Sequence, residues 1–134
     1  MSTLKTSNIQ DTSGNNNSTP EEISQGRAKA WITFNGTGTV ANRDKFNIST
    51  ITDNGAGDYT LTFTNNMSSS DYVVVGNAGY GTSGGWCSLY IHTKDGSPYY
   101  QEPTTSSFRI TISYSGTANN TQDFNRVSLA VFAD

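Results

Sequence analysis

Apolar and polar side chains alternate with a period of two through much of this chain. In Phe108–Tyr114 the residues Phe108, Ile110, Ile112 and Tyr114 alternate with Arg109, Thr111 and Ser113. In Tyr59–Thr64 the residues Tyr59, Leu61 and Phe63 alternate with Thr60, Thr62 and Thr64. Each run gives one apolar face and one hydroxyl-bearing face, as a half-buried antiparallel strand requires. Between Phe46–Thr52 and Tyr59–Thr64 lies Asp53-Asn54-Gly55-Ala56-Gly57-Asp58. These residue types accept positive φ or bond to their own backbone, so the run predicts a hairpin turn. Ile48 and Ile51 are out of step by one position, which predicts a bulge.

Further strands are predicted at Ala30–Phe34, Tyr72–Asn77, Trp86–His92 and Val127–Ala133, with a brief one or an extended connector at Thr39–Ala41. No segment keeps a helical period. The fold class expected is all-β: an antiparallel, jelly-roll-like β-sandwich of about seven or eight strands. Tyr72-Val73-Val74-Val75 and Leu129-Ala130-Val131-Phe132 are apolar on both faces. Such strands are covered on both sides, by loops or by a second subunit.

Residues 1–26 differ from the rest. They hold no aromatic residue, and Met1, Leu4, Ile9 and Ile23 are their only large aliphatic ones. Thr19-Pro20-Glu21-Glu22 predicts a helix start: Thr19 as N-cap, Pro20 in the first turn, Glu22 closing a capping box. Gly26 ends that helix. With Ile23 as its one large apolar residue, the helix cannot stand alone. The division expected is an N-terminal attachment arm, 1–26, and a sandwich domain, 27–134.

Composition narrows the function classes. The 134 residues are 33% hydrophobic and 14% charged, with a net charge of −3. That balance gives no basic field for nucleic acid. The one cysteine, Cys87, rules out an intrachain disulfide and suggests folding in a reducing cytoplasm. The N-terminal residues show neither a signal-peptide pattern nor an apolar span, so no membrane insertion is expected.

Candidate chemistry is sparse. His92, the single histidine, lies five positions from Cys87, on the opposite face of a regular strand. This argues against a Cys–His pair, and Cys87 is expected as a buried small residue. Asp53 and Asp58 bracket the hairpin turn without calcium-loop spacing and are expected to cap it. Gly76–Gly85 is glycine-rich but opens no helix, so it lacks a phosphate cradle. No enzyme, cofactor or metal site is expected. Tyr80, Tyr99 and Tyr100 flank the long connections around 78–85 and 93–101. Flat rings beside Asp, Asn and Gln suit recognition of a sugar or a protein surface, or else fill an interface.

Thr3-Leu4-Lys5-Thr6, Ile9–Gly14, Ala28–Trp31, Phe34–Val40 and Ile51–Tyr59 together resemble small virion structural proteins of tailed bacteriophages, of the cyanophage and marine-phage type, described as tail-fibre-like. The resemblance covers about the first half of the chain. It implies a homotrimeric β-rich knob in the virion, made in the host cytoplasm and held by residues 1–26 to another virion protein. It also implies a part in host attachment, with a surface glycan or protein as the target. Trp31 and Phe132 are expected at the subunit interface, and Tyr80, Tyr99 and Tyr100 toward the receptor. The chain has no fibre shaft of repeats, so a short fibre or fibre tip is expected. The alternatives are a head-decoration or cement protein, or a non-viral carbohydrate-binding module.

Overall fold

The computed structural model describes residues 2–15, 17–79, 87–91, 101–114 and 121–134. One helix, α1 (Pro20–Gly26), precedes eight strands: β1 (Ala30–Asn35), β2 (Ala41–Phe46), β3 (Ile48–Gly55), β4 (Asp58–Phe63), β5 (Val73–Gly79), β6 (Cys87–Ile91), β7 (Ser107–Tyr114) and β8 (Arg126–Phe132). They form two four-stranded sheets, ordered β2-β1-β8-β5 and β3-β4-β7-β6. Every pairing is antiparallel. The all-β sandwich read from the alternation is the fold observed.

The two central strands of each sheet supply the core. Ala30, Ile32 and Phe34 of β1 and Val127, Leu129 and Val131 of β8 face Tyr59, Leu61 and Phe63 of β4 and Phe108, Ile110 and Ile112 of β7. Alternation puts every second residue inward, and inward positions of facing sheets interdigitate. Phe63, Tyr72 and Phe108 form an aromatic cluster with ring centroids 5.5–6.0 Å apart. Such contacts add about 0.5–1.5 kcal/mol each beyond area burial.

Two expectations need correction. The expected strand Phe46–Thr52 is divided: Phe46 ends β2 in the first sheet, while Ile48 opens β3 in the second. Asn47 makes the crossing with φ 55, a conformation that asparagine tolerates better than most residues. Its Oδ1 accepts from Asn65 N at 2.8 Å, and its Nδ2 donates to the carbonyls of Lys29 and Asn65. The short element expected at Thr39–Ala41 is instead β2, which starts at Ala41, and all six of its residues are exposed. The expected bulge is present: Ile48 pairs Phe63 and Thr50 pairs Thr62, leaving Ser49 as the extra residue.

The helix forms as its capping signal predicts. Thr19 Oγ1 accepts from Glu22 N, and Glu22 Oε2 accepts from Thr19 N at 2.7 Å. The bond from the Thr19 backbone, then that from its hydroxyl, holds the Glu22 carboxyl below its usual range. No residue of α1 is buried, and Leu4, Ile9 and Ile23 are all exposed. Ahead of the helix, Ile9 and Ser18 exchange backbone hydrogen bonds of 2.8 and 2.9 Å, making a small loop of the N-terminal segment. Lys29 Nζ donates to Ser24 Oγ at 2.9 Å, linking the helix to the edge of the sandwich.

Candidate functional site

The outer faces of the two sheets differ in kind. On β3-β4-β7-β6 the outward positions form polar rows. Thr52 pairs Thr60, which pairs Arg109; Thr50 pairs Thr62, which pairs Ser107; Asp58 pairs Thr111; Ser113 pairs Ser88. Only part of this polar face is wet: Thr50 and Thr52 are exposed and Thr60, Thr62, Ser107 and Arg109 half-buried, while Asp58, Thr111, which also pairs Tyr90, and Ser113 are buried.

The outer face of β2-β1-β8-β5 carries an apolar row across all four strands. Phe46 pairs Trp31, Trp31 pairs Ala130, and Ala130 pairs Val75. Directly opposed residues point to the same side, so these side chains stand in line. The adjoining pair is Val73 with Phe132. Trp31 is 37% exposed, Phe46 52%, Val73 59% and Val75 48%. On the other side of the row, Asp44, Thr33, Ser128 and Asn77 make a polar one, in which the Thr33 and Ser128 hydroxyls are 3.2 Å apart. A shallow depression of about 340 Å³ lies over the centre of this face, walled by Trp31, Val75 and Asn77 and floored by Ala130. Scattered exposed apolar residues are usual on a protein surface, but a contiguous stripe marks an interaction site.

Trp31 and Phe132 are therefore diagonal neighbours on one face. Tyr80, Tyr99 and Tyr100, like Trp86 and His92, lie outside the described residues. Cys87 is half-buried rather than buried, and its thiol donates to the Ala78 carbonyl at 2.8 Å. β6 carries it at the rim where β5 and β6 meet.

Asp58 accepts from Asn54 Nδ2 of the turn at 3.5 Å, but its shorter bonds reach outside the turn. It is 4% exposed, and its carboxylate takes both Nε (2.7 Å) and Nη2 of Arg109 from the neighbouring strand. A bidentate guanidinium offsets the desolvation of a carboxylate at this depth. Asp53 does cap: its Oδ1 accepts from Gly55 N at 2.9 Å. No local signal marks the Asp58–Arg109 pair, because its members are 51 positions apart. The strand parity that places Asp58 and Arg109 on one outer face was the only available clue.

A second polar group lies at the end of the core. Tyr59, fully buried, donates its hydroxyl to Asp123 Oδ1 at 2.7 Å, with the Gly36 carbonyl 3.1 Å away. Burial first, and the Asp123 carboxylate second, push the Tyr59 phenol above its ordinary range. Both groups are satisfied by structural partners and stand apart from the depression on the apolar face. Among the described residues, no group of three or more His, Cys, Asp or Glu side chains is placed to hold a metal ion. No described helix is long and apolar enough to cross a membrane.

No family model, curated protein or solved structure matches this chain. The functional reading therefore rests on the surfaces themselves, and the apolar stripe is the candidate site.

Proposed function

We propose that this chain is a structural protein of a bacteriophage virion, a short tail fibre or fibre tip taking part in host attachment. In this reading, sandwiches associate as a homotrimer through the apolar face of β2-β1-β8-β5, with Trp31 and Phe132 inside the interface. Residues 1–26 attach the assembly to another virion protein. The observation that carries the reading is the contrast between faces: the outer rows of one sheet are polar and mostly half-buried or buried, whereas the other sheet leaves Phe46, Trp31, Val75 and Val73 exposed. Leaving such a stripe wet forgoes about 25 cal/mol per Å² of apolar area that a partner could bury. The exposed helix and the unburied Leu4, Ile9 and Ile23 support a segment that finds its partner elsewhere. Attachment through three weak sites on one particle would gain from avidity.

Light scattering coupled to size exclusion tests the association. The full chain is expected at three times its 14.4 kDa mass. Val75→Glu, at an exposed position, is expected to shift it toward the monomer without loss of fold by circular dichroism. A monomeric wild-type chain at all concentrations would refute the assembly. A second reading draws on the same face: Trp31 beside the Thr33, Ser128 and Asn77 row is the arrangement a monomeric sugar-binding module uses, an aromatic platform with hydroxyl and amide partners. Glycan binding by a monomer, lost in Trp31→Ala, would favour that reading.

A further inference from the structure

At the end of the apolar stripe, where β5 begins, a notch of about 190 Å³ is lined by Gln25, Asp71, Val73, Phe132, Ala133 and Asp134. It pairs an apolar wall, Val73 and Phe132, with two carboxylates, Asp71 and Asp134. Among the described residues neither carboxylate takes part in an ion pair; the Asp58–Arg109 pair is the one found there.

The strand beside the notch, β5, is an edge of its sheet, met near its far end by β6. Ala78 directs its carbonyl to Cys87 Sγ, away from β8. By the two-residue period of a strand, Gly76 and Val74 turn their N–H and C=O groups to that same side. Edge strands are usually protected by charge. The opposite edge of this sheet, β2, carries Arg43, Asp44 and Lys45, whereas β5 carries no charged residue from Val73 to Gly79.

The complement to this notch is present in the same chain. Leu4 is 85% exposed, and Lys5 beside it makes no ion pair among the described residues. Residues 2–8 precede the Ile9–Ser18 bridge without strand partners. Fully extended, such a seven-residue segment spans about 23 Å at ~3.3 Å per residue, enough to run along β5.

We infer that residues 3–6 of one copy dock on a neighbouring copy, Leu4 against Val73 and Phe132, and Lys5 between Asp71 and Asp134. The inference rests on the self-association proposed above and specifies how neighbouring copies are joined. The contact is heterologous, the N-terminal segment of one copy on the sheet edge of the next, so it can close a ring of three. Ile9 and Ile23 remain free for the particle.

The test uses the full chain and charge exchange at exposed positions. Lys5→Glu and Asp71→Lys, each alone, are expected to raise the dissociation constant of the assembly about tenfold at low salt, and the double variant to recover most of it. Leu4→Asp is expected to weaken it at least as much. A wild-type assembly indifferent to all three changes would overturn the docking while leaving self-association standing. A wild-type chain that never assembles would overturn both. Disulfide trapping separates chains: in a Cys87→Ser background, a tagged Leu4→Cys chain mixed with an untagged Val73→Cys chain is expected to give a cross-linked heterodimer. If a chain carrying both cysteines closes only on itself, the segment docks on its own sandwich and the inference fails.

Discussion

Tyr59 and Asp123 tie the hairpin of one sheet to the approach of the last strand of the other. The Tyr59 hydroxyl and the Gly57 N–H both donate to Asp123 Oδ1 at 2.7 Å, so one carboxylate oxygen holds the turn, the strand that follows it and the segment entering β8. Phe34 packs edge-on against the Tyr59 ring with centroids 5.1 Å apart. Removing one partner from a buried hydrogen bond leaves the other unsatisfied. Tyr59→Phe is therefore expected to cost about 1–3 kcal/mol, and Asp123→Ala somewhat more, because it removes the partner of the Gly57 N–H and leaves the Tyr59 hydroxyl only the Gly36 carbonyl. Urea unfolding checks both. A Tyr59→Phe chain as stable as wild type would mean that water replaces the bond.

Gly57 is the residue the turn cannot exchange. Its φ is +66°, and a Cβ there would lie 2.5 Å from the Ile112 carbonyl oxygen and 2.7 Å from Gln122 N, both backbone atoms. Gly38 has nearly the same φ, +64°, with nothing within 4 Å of a Cβ. The pair separates conformational strain from collision. Gly38→Ala is expected to cost about 1 kcal/mol, from the left-handed conformation alone. Gly57→Ala is expected to cost at least ~3 kcal/mol, since the backbone of β7 must also give way. Equal losses in thermal unfolding would show that the space around Gly57 relaxes.

Asp58 and Arg109 carry their pair on the outer face of the second sheet, at 6% and 18% side-chain exposure. Asp58→Asn keeps the shape but leaves a guanidinium with a neutral partner. Arg109→Met leaves a carboxylate nearly without water. The second should be the worse, by the ordering of desolvation against pairing, at about 2–4 kcal/mol. The double variant Asp58→Asn with Arg109→Met is expected to be more stable than Arg109→Met alone. A double-mutant cycle with no coupling would show that the two groups act independently.

The contrast between what was legible and what was not follows the range of the interactions. β4 and β7 announce themselves because Tyr59, Leu61, Phe63 and Phe108, Ile110, Ile112 all bury one face of a regular strand. The capping box of α1 is equally local, contained in four consecutive residues. β2 was missed because Asn42, Arg43, Asp44 and Lys45 bury nothing; the strand exists by pairing with β1, and its charges guard an edge. The apolar run Tyr72–Val75 reads as covered on both faces, whereas its valines lie on the edge strand β5 with Val73 and Val75 exposed. The continuous stripe was beyond a linear reading, because its members come from four strands and meet only through register. The Asp123 contacts with Gly57 and Tyr59 likewise bridge 66 and 64 positions.

Tyr72 gives the fold an alkaline limit. Its ring packs between Phe63 and Phe108, and its hydroxyl donates to the Thr104 carbonyl at 2.9 Å, with the Ser107 carbonyl 3.1 Å away. Burial pushes its phenol from 10.0 up to about 12. The folded chain therefore holds this proton where the unfolded chain has lost it. Stability rises with pH only where the unfolded state binds more protons, and here it binds fewer. The contribution of Tyr72 is thus complete below the unfolded value of 10.0 and is lost as pH rises toward about 12. Tyr59, shifted in the same direction, adds to the same slope. Denaturant midpoints at about pH 9 and about pH 11 should fall for the wild type, and fall less for Tyr72→Phe, whose loss cannot depend on a phenolate. Every other charge change with pH is common to both chains, so it cancels in the comparison. Parallel lines for the two chains would show that Tyr72 ionises as freely folded as unfolded, and that its place among Phe63 and Phe108 is wetter than the packing indicates.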